Sequence, residues 1–296
     1  MSPAGGGQGD RDRDRDRDRK GEATRAFTFP LPLERVGKSG SLAKPRETLR
    51  PQRHLHEVAR DAGRPLTLQG GLGLDTALVR ARMVQRLRDE GLRCEPVLAA
   101  MQRVPRHLFV DSALAAQAYE DTSLPIGHGQ TISKPSVVAR MVELLYGGAQ
   151  AAALGHLGRT LEVGTGCGYK TALLAQLASW LVSIERLQPL HQKAVLHLAD
   201  ARLAAGRLDH LRLLHGDGML GYAPGAPFDT IIAAAGGRET PQAWLDQLAV
   251  GGRLVAPVHG AGGRGQVLVV VDRHATGWAR SELEGVHFVP LKSGIE

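Results

Sequence analysis

Apolar residues recur along this chain with two periods, and the change from one to the other divides it. Leu78, Val79, Met83 and Leu87 fall on one helical face, and Gly91 ends that run. Glu95 to Val104 reads as a second short helix, stopped by Pro105. Residues 119–135 are rich in Gly, Pro and hydroxyl groups and read as a loop between helical segments, with Val137 to Leu145 resuming helical spacing. From Arg159 onward short apolar runs alternate with helical patterns. Strands are predicted over Thr160–Val163, Trp180–Glu185, Leu211–His215 and Phe228–Ala235. Helices are predicted over Tyr169–Ala178, over Pro189–Ala205 closed by Gly206, and over Pro241–Leu248 closed by Gly251-Gly252. Further strands are predicted at Leu254–Val258 and Gln266–Asp272, and Trp278–Leu291 supplies one more, antiparallel. Repeated strand–helix units demand an α/β fold. It is a mostly parallel, doubly wound sheet with helices on both faces, an antiparallel C-terminal edge and an N-terminal helical segment.

Residues 1–73 lack either period. Gly5-Gly6-Gly7 leads into alternating Arg and Asp from Arg11 to Arg19, and a polar stretch punctuated by Pro30, Pro32, Pro45, Pro51 and Pro65 comes after it. Such a segment buries too little apolar area to offset its backbone entropy, so a disordered extension over 1–73 and one folded domain over 74–296 are expected. The charge fits that division. The net charge is +7, and residues 1–75 hold 15 Lys/Arg against 11 Asp/Glu, a net of +4, leaving +3 for the rest. The alternating signs largely neutralise each other, so a nucleic-acid arm is not favoured and no nucleic-acid partner is expected.

The remaining composition excludes more than it assigns. No run of about 18 apolar residues is present, so no membrane association is expected, and no apolar stretch near Met1 reads as a secretory signal. Cys94 and Cys167 lie in no Cys-x-x-Cys pattern and read as free thiols of a cytoplasmic protein. The twelve histidines show no metal-ligand spacing, and no metal is expected.

Chemistry concentrates after the first strand, in Leu161-Glu162-Val163-Gly164-Thr165-Gly166-Cys167-Gly168-Tyr169. Glycines at a strand-to-helix turn let backbone approach a ligand closely. A dinucleotide fingerprint would place its third glycine where Tyr169 stands, and the Gly-Lys-Ser/Thr of a phosphate loop is absent. Instead the spacing is G-x-G-x-G with Glu162 upstream, which resembles motif I of the Rossmann-like (class I) methyltransferases. Glu185 ends the second strand about 20 residues on, where a carboxylate can accept ribose hydroxyls. Asp217, in His215-Gly216-Asp217-Gly218, ends the third and is placed to accept an adenine amino proton.

The substrate class is narrowed by a second string. After the fourth strand there is no Asn/Asp-Pro-Pro-aromatic loop for amino methylation, and no Pro-Cys for attack on cytosine. Leu124-Pro125-Ile126-Gly127-His128-Gly129-Gln130-Thr131-Ile132-Ser133-Lys134-Pro135 resembles the protein-L-isoaspartate O-methyltransferase family. The likeness extends over about residues 80–292, through Val104-Pro105-Arg106, Phe109-Val110, Ala226-Pro227-Phe228-Asp229 and Phe288-Val289-Pro290-Leu291. It implies methyl transfer from S-adenosyl-L-methionine to the free α-carboxylate of L-isoaspartyl, and less well D-aspartyl, residues of damaged proteins. The ester then collapses to a succinimide that can reopen as aspartate. A methyltransferase for a small molecule or another carboxylate is the alternative. The resemblance carries cofactor contacts onto Gln130, Thr131, Ile132, Glu162, Gly164, Gly166, Gly168, Glu185, Asp217 and Gly218, and the active-site serine onto Ser133. The partners expected are isoaspartyl proteins and peptides, met by a monomer. Family members usually have a proline shortly after the fourth strand, where this chain has Gly236-Gly237, so a looser loop is expected there.

Overall fold

The computed structural model describes residues 76–205, 208–260 and 265–296. The expected extension over 1–73 and the closing Gly206 lie outside the described residues.

Two helices come first: α1 (Thr76–Asp89) and α2 (Glu95–Arg103). Pro96 sits in the first turn of α2, where its missing N–H costs nothing. Next is a hairpin of β1 (Leu124–Gly127) and β2 (Gln130–Ile132), paired antiparallel. This segment is not the irregular loop expected. His128 (φ 53°) and Gly129 (φ 67°) both take positive φ, which is what a two-residue hairpin turn of type I′ requires. Then come α3 (Pro135–Tyr146) and α4 (Ala149–Leu154), the latter unforeseen because its six residues are mostly alanine. The alternating part comprises β3 (Arg159–Val163), α5 (Tyr169–Ala175), β4 (Trp180–Glu185), α6 (Gln188–Ala205), β5 (Leu211–His215), β6 (Phe228–Ala233), α7 (Gln242–Gln247), β7 (Leu248–His259), β8 (Gln266–His274) and β9 (Gly277–Val286).

Seven strands form one sheet in the order β5-β4-β3-β6-β7-β8-β9. The first five run parallel, while β8 is antiparallel to both β7 and β9. The predicted doubly wound sheet with an antiparallel edge is therefore present. One local expectation fails. Gly251-Gly252 does not close α7. The helix stops at Gln247, β7 starts at the next residue, and both glycines lie inside the strand. Pairing jumps there from Phe228↔Leu248 to Thr230↔Arg253. Gly251 takes φ 85°, and a Cβ on Gly252 would come 2.8 Å from the Asp229 carbonyl oxygen. These glycines make a bulge rather than a cap.

Each sheet face has its own core. Leu161, Val163, Val182, Ile184, Ile231 and Ala233 pack with Trp244 of α7 on one side. On the other, apolar residues of α1–α3, α5 and α6 join Ile232, Val255 and Leu268. Chain order leaves β3 toward β4 on one side and toward β6 on the other. The crevice beyond their carboxyl ends is where ligands of such sheets bind.

Candidate active site

A cavity of about 600 Å³ opens at that crevice. Its floor is the turn after β3, where Gly164 (φ 87°), Gly166 (φ 58°) and Gly168 (φ 93°) all take left-handed backbone. The three glycines do different things. A Cβ on Gly164 would lie 3.2 Å from the Ala234 methyl, where β6 ends, and one on Gly166 would lie 3.3 Å from Ile126 Cδ1 of the hairpin. Gly168 faces α6 instead, with Leu198 3.2 Å from its would-be Cβ, and does not line the cavity.

Glu185 closes one side. Gly166 N–H donates to its Oε2 (2.9 Å) and Leu187 N–H to its Oε1 (3.0 Å). The buried carboxylate is thus fixed by one bond per oxygen, and each oxygen keeps a lone pair for a ligand. Gly218 lines the same cavity, and a Cβ there would strike Val163, 2.5 Å from Cγ1.

Besides Gly168, two more of the expected contacts lie outside the cavity lining. Glu162 is fully buried beneath the turn, where its Oε2 accepts from Thr171 Oγ1 (2.6 Å) and Ser183 Oγ (2.7 Å). Ser183 in turn bonds Thr165 Oγ1 at 2.6 Å, so the network braces the turn from below. Burial raises the carboxyl pKa, and Lys170, with Nζ 3.5 Å from Oε1, opposes that. Burial likewise lowers the Lys170 pKa against the pull of Glu162. Among the described residues Lys170 Nζ has no hydrogen-bond partner, and unlike Glu162 this lysine lines the cavity. Asp217 is also set back. Its Oδ1 accepts from Met219 N–H (2.9 Å) and its Oδ2 from Gly294 N–H (2.6 Å). The Gly294 contact belongs to a strap across the ends of β4 and β5. Arg186 donates from Nε to the Gly294 carbonyl (3.2 Å) and pairs through Nη1 with Glu296 (2.8 Å). Glu296 N–H donates to the Arg186 carbonyl (2.8 Å), and Gln188 N–H to the Glu296 carbonyl (2.7 Å). Glu296 forms part of the cavity wall.

The hairpin makes the opposite wall with Gln130, Thr131, Ile132 and Ser133. Lys193 of α6 holds it in place by donating to the Ile126 carbonyl (3.3 Å) and to Asp111 (3.0 Å). Ser133 is half-buried and is fixed from behind by a residue whose role the sequence did not reveal. Arg106, fully buried, donates from Nη2 to the Ser133 carbonyl and from Nε to the Ala118 carbonyl, each at 2.7 Å. Its guanidinium stacks 4.7 Å from the Tyr169 ring centroid. The only sequence signal was its place in the Val104-Pro105-Arg106 string. Burial pushes the Tyr169 hydroxyl up to about 12, and the Cys167 thiol upward as well, so neither supplies an anion at neutral pH.

A second cavity of about 570 Å³ meets the first at Thr131, Ser133, Ala234, Phe288 and Val289. Ser133 therefore stands at the junction. The Gly236-Gly237 segment beside it is not loose. Gly236 N–H donates to the Val289 carbonyl (2.8 Å), Leu291 N–H to the Gly236 carbonyl (2.9 Å) and His259 N–H to the Gly237 carbonyl (3.0 Å). Proline at 236 would forfeit the first bond, and the Gln266 amide fills the space its ring would need.

This arrangement has counterparts. A curated Methylibium petroleiphilum protein-L-isoaspartate O-methyltransferase is 59% identical over 270 residues, which is 90% of this chain and 96% of that one. A Leptothrix cholodnii protein of the same name is 58% identical over 277 residues, 90% and 94% of the two chains. A solved Plasmodium falciparum structure, described as a β-aspartate methyltransferase in complex with S-adenosyl-L-homocysteine, superposes with a TM-score of 0.61 at 23% identity. It covers 72% of this chain and 98% of its own, a likeness of fold. The sequence profile of protein-L-isoaspartate(D-aspartate) O-methyltransferases matches residues 79–296. With that match spanning both cavities and every strand, the chain belongs to the protein-L-isoaspartate(D-aspartate) O-methyltransferase family.

Proposed function

We infer that this chain transfers the methyl group of S-adenosyl-L-methionine to the free α-carboxylate of L-isoaspartyl residues, and less well to D-aspartyl residues, in damaged proteins. The observation that carries this reading is the meeting of two cavities at Ser133. One fits the donor. Its glycine floor admits close approach, and Glu185 offers free lone pairs for ribose hydroxyls, while Lys170 lines the cavity with its Nζ paired to Glu162 at 3.5 Å. Gln130, Thr131, Ile132, Gly164, Gly166 and Gly218 form its walls, while Glu162, Gly168 and Asp217 serve by holding those walls in place. The other cavity takes the acceptor segment. The partner is an isoaspartyl protein or peptide, and since one chain supplies both cavities the enzyme is proposed to act as a monomer in the cytoplasm. Among the described residues no helix is long and apolar enough to cross a membrane.

The donor supplies an electrophilic methyl carbon on a sulfonium. A carboxylate with an ordinary pKa of about 4 is already ionised at neutral pH, so the protein need not remove a proton. Its residues have three tasks: to strip water from the acceptor carboxylate, to orient one oxygen and to hold that oxygen in line. Among the described residues no base or carboxylate bonds Ser133 Oγ, which suits a hydroxyl that donates to the acceptor rather than one that attacks. The test is methyl transfer to an isoaspartyl peptide beside its aspartyl twin, from pH 6 to 8. A large preference for the isoaspartyl peptide, nearly flat with pH, is expected. Equal rates on both peptides would refute the reading.

A further inference from the structure

The acceptor cavity carries charge of one sign. One wall is Ser123, Thr131, Ser133 and Lys134, and the other is Gln266 with the segment Gly285–Val289. Its ionisable lining groups are Lys134 and His287, and among the described residues no carboxylate lines it. Nearby acids are turned to other partners. Asp121 accepts from the backbone N–H of Ser136 (2.9 Å) and from its hydroxyl (2.8 Å). Glu284 is paired with Arg140 at 2.9 Å, and Glu120 faces Arg86 at 3.5 Å. Lys134 is exposed at the start of α3 and has no carboxylate partner among the described residues. The opposite wall is held by Gln266, whose Nε2 donates to the Phe288 carbonyl (3.2 Å) and whose Oε1 accepts from Phe288 N–H (2.7 Å). That clamp fixes the backbone next to His287.

We propose that this cleft selects isoaspartyl segments flanked by acidic residues, with Lys134 as the specificity-determining residue and His287 as its counterpart across the cleft. The proposal rests on the isoaspartyl reading above. A peptide threaded past Ser133 must lay its neighbouring side chains along these two walls. An acidic neighbour meets Lys134, whereas a basic neighbour meets a like charge with no acid to offset it. Exposed charge pairs change affinity by up to about fivefold each, and salt screens them. The contrast between acidic and basic flanks is therefore expected to be about three- to tenfold at low salt.

Four labelled peptides test it: isoaspartyl or aspartyl at the centre, each with glutamate or lysine flanks. Their affinities are measured by fluorescence anisotropy with S-adenosyl-L-homocysteine present, and initial methylation rates are measured in parallel. Glutamate-flanked isoaspartyl peptide should bind tightest, the contrast should shrink in high salt, and Lys134→Glu should reverse the order while Lys134→Gln abolishes it. Equal affinity for glutamate and lysine flanks, or an unchanged order in Lys134→Glu, would overturn the proposal. Equal binding of isoaspartyl and aspartyl centres would instead overturn the isoaspartyl reading, so the two failures are separable.

Discussion

Ser133 and Gly166 are expected to fail in opposite ways. Ser133→Ala removes a hydroxyl at the junction of the two cavities but leaves the carbonyl that Arg106 holds. Turnover should fall on the order of 10- to 100-fold through loss of alignment, while donor affinity by calorimetry stays unchanged. Gly166→Val places a β-branched side chain at φ 58°, against Ile126, and should abolish donor binding. A calorimetric titration that finds intact donor affinity in Gly166→Val would remove the turn from the site. Ser133, Gly164, Gly166 and Glu185, all of which line the cavity, were legible because each sits at a strand end or in a dense local string, whereas Gly168 of the same string faces α6. Arg106 and Lys170 were not legible, since their roles depend on contacts made through space. Asp217 shows the same limit: its partner Gly294 is 77 positions away, so its bond to the strap has no local signature.

Among the elements, β7 was the hardest to bound. Its twelve residues are set by pairing with β6 on one side and β8 on the other, whereas local pattern shows only the apolar stretch Leu254–Val258. Paired glycines after a helix ordinarily mark its end, and only the register jump shows that these serve a bulge. Gly252→Val should therefore destabilise the domain by roughly 1–3 kcal/mol, because backbone carbonyls of Asp229 and Ala249 crowd the site. Urea unfolding would read this directly, and an unchanged midpoint would mean that the bulge can relax. The hairpin was read as a loop for a related reason. Strands of four and three residues, the first holding both Pro125 and Gly127, are too short to show alternation.

At the scale of the whole molecule, residues 1–73 should be dispensable for folding and for methyl transfer. An alignment over 90% of the chain is longer than residues 79–296 can hold, so the Methylibium relative shares part of the region before them. The family profile begins at residue 79, and the sequence before it, with its Arg/Asp run and scattered prolines, shows no apolar period. A thermal melt and a methylation assay on protein lacking residues 1–73 would check this, and loss of either property would assign the extension a role. The hydrogen bonds at Asp217 carry one more consequence, for ageing. Isoaspartate forms when a backbone nitrogen attacks the side-chain carbonyl of a preceding Asn or Asp, most readily when glycine is the next residue. This chain contains no asparagine, and its one Asp-Gly pair is Asp217-Gly218. There both carboxylate oxygens are bonded, and Gly218 is wedged against Val163. The side chain must give up its bonds to Met219 and Gly294 before it can turn toward the Gly218 nitrogen. A catalyst that acts on spontaneous protein damage thus lacks asparagine altogether, and ties down the side chain of its one Asp-Gly pair.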